Sequence, residues 1–125
     1  MTANFGRLAV VVVAAGRSSR MGGVDKQVTL LRDRPVIWHS LRVFDDSDLV
    51  GPVVLVMSAD NLEAGQAVVA TGGFAKVVAV VAGGKRRQDS VKIGLDILVR
   101  QQTGRPEFVA VHDGARPFVD SEMLE

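Results

Sequence analysis

A run of apolar residues near the amino terminus, Leu8 to Ala15, limits the folds open to this chain. Branched residues without polar alternation are typical of a strand buried on both faces, as in a parallel sheet. The run stops at Gly16, and the loop beyond such a strand is where open α/β sheets usually bind ligands. Glycine lets backbone N–H groups approach phosphate oxygens, and arginine adds fixed positive charge. We therefore expect a nucleoside triphosphate at the loop from Ala14 to Lys26.

The remaining sequence alternates between short apolar runs and stretches with helical spacing. Strands are expected over 8–14, 52–57, 76–81 and 107–111, and helices over 35–44, 60–70 and 88–102. A loop is expected over 16–27, a short extended piece over 30–34, a solvated turn over 45–48 and a helix end at Thr71-Gly72-Gly73. Strands that alternate with helices predict a three-layer, Rossmann-like α/β domain with a mainly parallel sheet. We expect residues 1–125 to form this single nucleotide-binding domain, apparently truncated at its C-terminus. One edge of the sheet would then be open unless another segment or chain covers it.

Composition argues against several other classes of protein. A net charge of +1, 5% aromatic residues and no tyrosine predict that the chain binds no nucleic acid. Cysteine is absent, which excludes disulfides and fits a cytoplasmic location. The apolar run is too short to span a bilayer and resembles no signal peptide, so we expect no membrane association.

Three glycine-bearing segments follow three of the expected strands. The first contains Gly16, Ser18, Arg20 and Lys26 and lacks the spacing of a P-loop or of a dinucleotide-binding G-x-G-x-x-G. The second is the sequence Gly83-Gly84-Lys85-Arg86-Arg87-Gln88-Asp89-Ser90, in which Asp89 or Ser90 can cap a helix or contact a base. The third is His112-Asp113-Gly114-Ala115-Arg116-Pro117, whose aspartate is the residue type that holds Mg²⁺ beside a triphosphate.

Each segment taken singly is also typical of an ordinary turn or helix cap. Their shared position is stronger evidence, because the carboxyl ends of parallel strands meet at one edge of a sheet. The sequence therefore predicts an anionic nucleotide pocket with a carboxylate for a metal ion. His112 is expected to pack or to form hydrogen bonds rather than to catalyse, and His39 is assigned no role.

The three segments together resemble the sugar-phosphate nucleotidyltransferases. Within them, the G-G-x-x-R-x-D-S-V pattern from Gly83 to Val91 and the H-D-x-A-R-P pattern from His112 to Pro117 are most similar to the 2-C-methyl-D-erythritol 4-phosphate cytidylyltransferase family. The likeness runs nearly from end to end of this chain and covers about the first half of a typical member. Gly114 stands where alanine is common in the family, and Ser18 where glycine is common.

The resemblance implies a role for each matching residue. Arg20 and Lys26 would neutralise the triphosphate and the transition state, and Asp113 would bind Mg²⁺. The nucleotide-binding residues would be Ala14, Ala15, Gly16, Ser18, Gly83, Gly84, Ser90, Gly114 and Arg116. Among these, Gly84 and Ser90 would contact the cytosine, and Arg116 would approach the sugar-phosphate substrate.

The implied reaction transfers a cytidylyl group from CTP to a polyol phosphate, 2-C-methyl-D-erythritol 4-phosphate, in non-mevalonate isoprenoid biosynthesis. Full-length members pair as homodimers. Three alternatives stay open at this point: a ribitol-5-phosphate cytidylyltransferase, a molybdopterin guanylyltransferase, and a non-catalytic CTP-binding fragment.

Overall fold

A computed structural model of the chain describes residues 8–14, 20–21, 24–25, 30–31, 34–100 and 108–113. The elements in chain order are β1 (Leu8–Ala14), β2 (Arg20–Met21), β3 (Val24–Asp25), β4 (Leu30–Leu31), β5 (Arg34–Pro35), α1 (Val36–Asp46), β6 (Val50–Met57), α2 (Leu62–Gly72), β7 (Val77–Ala82), α3 (Arg87–Arg100) and β8 (Phe108–Asp113). A short 3-10 turn, Ala59–Asn61, precedes α2.

Strands β1, β6, β7 and β8 form a sheet in the order β7-β6-β1-β8, and each neighbouring pair is parallel. The crossovers between them carry the helices, which confirms the predicted α/β class with a mainly parallel sheet. The last strand extends two residues further than expected. His112 and Asp113 consequently belong to β8 itself and pair beside Val12 and Val13 of β1.

The segment between β1 and α1 is more regular than the predicted loop over 16–27. Strands β2 and β3 pair antiparallel, with Arg20 opposite Asp25, and β4 and β5 pair in the same way, with Leu31 opposite Arg34. Two-residue strands are too short for apolar alternation to reveal them, so sequence periodicity missed the first pair.

The helices cover both faces of the sheet. On one face, Ile37, Leu41 and Phe44 of α1 pack with Val10, Val12 and Leu55, and α2 adds partly buried side chains. On the other face, Leu98 of α3 packs with strand residues that include Val11, Val13 and Val56. The spacing of these apolar positions along each helix explains the arrangement, since residues three or four apart share a helical face.

Helix α3 approaches β1 closely at Gly94. A Cβ atom built on this glycine would lie 2.5 Å from Cγ1 of Val11, well inside van der Waals contact. Both residues are fully or largely buried, and the branched side chain of Val11 has little freedom to move away. Gly94 is therefore required for the distance between this helix and the sheet.

A polar network fastens the end of α1 to the start of β7. The Asp45 carboxylate accepts hydrogen bonds from the Lys76 backbone N–H at 2.8 Å and from Arg42 Nη2 at 2.8 Å. The Lys76 ammonium group donates to the carbonyl of Ser47, whose side chain is buried. The prediction of a solvated turn over residues 45–48 was therefore wrong for Asp45 and Ser47, because their polar atoms complete backbone hydrogen bonding between two elements.

Arg42 of this network also contacts an aromatic ring, since its guanidinium lies 4.8 Å from the ring centre of Phe74. Phe74 follows Gly73, whose left-handed backbone (φ 67°) ends α2 as the sequence Thr71-Gly72-Gly73 predicted.

Among the described residues, no helix is both long and apolar enough to cross a bilayer.

Candidate active site

The carboxyl ends of the four parallel strands lie level with one another. Ala14 pairs beside Met57, Met57 pairs beside Ala82, and Asp113 pairs beside Val13. With neighbouring strands about 4.8 Å apart, the carboxyl ends of β7 and β8 are separated by about 14 Å, three strand spacings. We call this edge, from Gly83 through Ala14 to Asp113, the rim of the sheet.

The loop after β7 is held tightly to the rim. The Gly83 N–H donates a hydrogen bond to the carbonyl of Met57 at 2.7 Å, which carries the β7 backbone past the end of β6. A Cβ atom on Gly84 would lie 2.5 Å from Cβ of Asp89, so only glycine allows the loop to pass against the first turn of α3. This close passage places Gly83 and Gly84 beside the amino terminus of a 14-residue helix.

The helix that begins here is capped by an acidic side chain of its own first turn. The Arg86 backbone N–H donates to Oδ2 of Asp89 at 3.3 Å, which is the acidic half of a capping box. The Arg86 guanidinium also donates to both Asp89 oxygens, at 3.2 and 3.3 Å. These hydrogen bonds hold the pKa of the Asp89 carboxyl below its ordinary value and raise the pKa of Arg86.

Asp89 thus acts as a cap, one of the two roles that the sequence left open. Its carboxylate partly offsets the charge of Arg86, whereas Lys85 and Arg87 are exposed beside it. A helix amino terminus already favours anions through its N–H groups and dipole, and these two cations add to that preference. This side of the rim is consequently suited to a negatively charged ligand.

Replacing Asp89 with alanine is expected to lower the urea midpoint of unfolding at pH 7, since the first turn of α3 loses its cap. A carboxyl whose pKa is lower in the folded state stabilises above the ordinary pKa and loses that effect as pH falls. The difference between the two proteins should therefore shrink below about pH 4. Equal differences at pH 7 and pH 3, followed by the fluorescence of Trp38, would contradict a role for the ionised cap.

Ser90 lies in the first turn of α3 and is 1% exposed. Its Oγ has no hydrogen-bond partner among the residues that the structure describes. A buried hydroxyl without a partner costs roughly 1–3 kcal/mol, and such groups in folded proteins call for an explanation. A ligand that supplies the missing hydrogen bond is one explanation, and Ser90 is where the sequence predicted contact with a base.

Asp113 ends β8 on the same side of the sheet as Ser90. It pairs beside Val13, which packs on the α3 face, so the alternation of the strand places the Asp113 carboxylate on that face. A metal ion such as Mg²⁺ fits this position, since it commonly takes one or two carboxylates and completes its shell with phosphate oxygens and water. Within the described ranges, no group of three or more histidine or acidic side chains could hold a metal without such additional ligands.

The structure thus brings five of the predicted site residues to one rim: Ala14, Gly83 and Gly84, with Ser90 just inside the helix, and Asp113 at the far side. Arg20 lies in β2, six residues beyond the end of β1, and only its backbone is described. The other predicted site residues lie outside the described residues: Ala15, Gly16, Ser18, Lys26, Gly114 and Arg116. Their assignments stay predictions.

Sequence reasoning missed one residue near the rim, Ser40 of α1. Its side chain is fully buried, and its Oγ lies 3.3 Å from Nε2 of His112. The available signal was its position beside Leu41 and three residues after Ile37, on the apolar face of the helix. A polar residue on such a face is expected to have a specific partner.

Comparison with known proteins agrees with this arrangement. The family model IspD, 2-C-methyl-D-erythritol 4-phosphate cytidylyltransferase, matches residues 8–125. A protein of that name from Dehalococcoides mccartyi is 41% identical over 118 residues, which are 94% of this chain and 50% of that protein. The chain spans about half the length of the curated relatives that it matches.

Two solved structures share the fold. A crystal structure of 4-diphosphocytidyl-2C-methyl-D-erythritol synthase superposes with a TM-score of 0.72 at 25% identity, over 95% of this chain and 51% of that one. The synthase from Anaerococcus prevotii gives a TM-score of 0.69 at 19% identity, over 94% of this chain and 47% of that one, and supports the fold alone. Since the family model covers nearly all of the chain, this protein belongs to the 2-C-methyl-D-erythritol 4-phosphate cytidylyltransferase family.

Proposed function

We propose that this chain carries the CTP-binding part of a cytidylyltransferase site. In the proposed reaction, a phosphate oxygen of 2-C-methyl-D-erythritol 4-phosphate attacks the α-phosphorus of CTP in line, and pyrophosphate leaves. The bond to the departing pyrophosphate breaks as the bond to the polyol phosphate forms, so no covalent enzyme intermediate is required.

The observation that carries the proposal is the buried hydroxyl of Ser90. It stands at the start of α3 beside the Gly83-Gly84 loop, and the Asp113 carboxylate lies on the same face of the sheet. A pyrimidine carries hydrogen-bonding groups that suit a buried hydroxyl, and its triphosphate suits the basic segment after β1, which contains Arg20 and Lys26. The spacing across the rim, about 14 Å, leaves room for a base at one side and phosphates at the other.

In this proposal the residues of the chain bind and orient the two substrates. Arg20 and Lys26 neutralise the phosphate charge that spreads during the transfer, which is the main contribution that a protein makes to such reactions. Asp113 would hold Mg²⁺, which would supply further positive charge to neutralise the phosphates. Arg116 is proposed to bind the polyol phosphate, and a homodimer is proposed for the full-length protein.

Release of pyrophosphate from CTP and 2-C-methyl-D-erythritol 4-phosphate in the presence of Mg²⁺ is the direct test. Ribitol 5-phosphate replaces the acceptor in a second arm, and GTP replaces CTP in a third. Turnover only with ribitol 5-phosphate, or only with GTP, would overturn the assigned substrates. CTP binding without pyrophosphate release would identify the 125-residue chain as a binding fragment.

Replacing Ser90 with alanine provides a sharper test of the binding site. We expect CTP affinity to fall about 10-fold, which corresponds to losing one hydrogen bond to a group that then stays buried. The free energy of unfolding should stay the same or rise, because the change removes a polar atom that has no partner in the described part of the protein. Isothermal titration with CTP and urea unfolding measure the two quantities.

Ser47→Ala is the matched control. Ser47 is also buried, but its Oγ accepts a hydrogen bond from the Leu49 N–H at 3.2 Å at the opposite end of the sheet. This variant should lose stability and keep its CTP affinity. If Ser90→Ala behaves in the same way as Ser47→Ala, then Ser90 is a structural residue and the binding proposal loses its main support.

A further inference from the structure

Strand β8 carries Asp113, yet it gains little from burial. At the edge of the described sheet, Phe108, Val109 and Val111 are 63%, 45% and 39% exposed. The strand pairs with β1 from Leu8 beside Phe108 to Val13 beside Asp113. Among the strands that the structure describes, β8 pairs with β1 alone, and a strand paired on one side opens more easily than a central one, so side-chain contacts can help to fix its last residue.

His112 supplies such contacts to the core. Its Nε2 lies 3.3 Å from Oγ of Ser40, and its ring meets that of Phe44 edge to face at 5.2 Å between centres. Ser40 is fully buried and Phe44 is 2% exposed, and both belong to α1. The carboxyl end of β8 is thus connected to a helix whose own apolar face is packed in the centre of the domain.

The contacts of His112 also affect the position of the next residue, Asp113. Successive side chains of a strand point to opposite faces, so His112 faces α1 and Asp113 faces α3. The contacts of His112 with Ser40 and Phe44 oppose rotation of the strand end and so favour a position of the Asp113 carboxylate at the rim. A hydrogen bond and an aromatic contact are modest interactions, and here they add to the backbone pairing of β8 with β1.

We propose that His112, through its contacts with Ser40 and Phe44, is a positioning residue for Asp113 and for the metal–nucleotide complex that Asp113 holds. This inference rests on the proposed function for the role of Asp113. His112 itself touches neither metal nor nucleotide in this proposal. Its effect is to keep the carboxylate in one orientation before the ligand arrives, which reduces the cost of binding.

The test compares His112→Ala, Ser40→Ala and the double variant, with Mn²⁺ as a paramagnetic probe in the presence of CTP. The affinity for Mn²⁺ should fall about 10-fold in His112→Ala, the low end of the effect seen when a residue that supports a metal ligand is lost. Ser40→Ala should weaken binding in the unaltered background and add little once His112 is gone. His112→Gln, which retains a hydrogen-bonding group, should recover part of the loss.

Two further measurements separate positioning from a general loss of stability. Ser47→Ala should destabilise the fold without changing the affinity for Mn²⁺. In His112→Ala, the backbone order parameter of Asp113 should fall from the value of a rigid strand, about 0.85, toward 0.6, while that of Val11 in β1 stays unchanged. An unchanged order parameter at Asp113, or Ser47→Ala weakening Mn²⁺ binding as much as His112→Ala, would overturn the inference.

Failure of this inference and failure of the proposed function give different results. If the unaltered chain binds neither CTP nor Mn²⁺ with CTP, the proposed function is wrong. The order parameter of Asp113 is then the one remaining test of whether His112 positions that residue. If the unaltered chain binds both and His112→Ala binds them equally well, the function stands and His112 is only a packing residue.

Discussion

In a full-length protein, replacing Arg20 or Lys26 with alanine is expected to lower the turnover of the proposed cytidylyl transfer by about 100-fold or more. That is the usual scale of losing one preorganised group that stabilises charge in a transition state. Both residues belong to the basic segment after β1, the strand beside the one that carries Asp113. The measurement is the rate of pyrophosphate release at saturating CTP and polyol phosphate, where weakened binding of substrate no longer affects the rate.

Arg100→Ala is the matched control for this experiment. Arg100 is an exposed arginine at the last turn of α3, about 20 Å along the helix from the rim. Its loss should leave turnover unchanged, since it changes the net charge by the same amount at a distant position. Near-normal turnover in both Arg20→Ala and Lys26→Ala would refute the roles that family resemblance gives to these residues.

The second large effect is expected in the fold rather than in the reaction. Gly94→Val should lower the free energy of unfolding by about 3 kcal/mol, because the new side chain has no space against Val11 and must push α3 away from β1. A loss of that size is a large part of the stability of a small domain. Urea unfolding followed by the fluorescence of Trp38, the single tryptophan, measures it.

The control for this prediction introduces the same residue on the same helix. Lys92 is exposed, so Lys92→Val changes helix propensity and surface charge without entering the core. It should alter stability by no more than about 0.5 kcal/mol. If the two valine variants unfold at the same urea concentration, then α3 accommodates a side chain at Gly94, and the close approach does not contribute to the free energy of unfolding.

Much of the architecture was predictable because apolar periodicity and glycine positions are local signals. The run that forms β1, the glycine end of α2 and the mainly parallel sheet all followed from residue type and spacing. The convergence of Gly83, Gly84, Ser90 and Asp113 on one rim was predictable for the same reason, since it depends on topology and not on any particular contact.

Contacts between distant parts of the chain were not predictable in this way. The hydrogen bond between His112 and Ser40 joins residues 72 positions apart, and the bond between Lys76 and Asp45 joins residues 31 apart. Both use polar side chains whose partners can be named only when the packing of the elements is known. The clearance of α3 over Val11 likewise depends on two surfaces that are remote in sequence.

The network of Asp45, Lys76 and Ser47 has a consequence for how a domain of this kind can diversify. It fastens α1, β6 and β7 together at the amino-terminal end of the sheet, on the side away from Ser90 and Asp113. The contacts that join these elements therefore lie at the opposite end of the sheet from the proposed nucleotide site. Substitutions that change which nucleotide or acceptor is bound can accumulate at the carboxyl end of the sheet. They would not disturb the contacts at the amino end that fix the order of helices and strands.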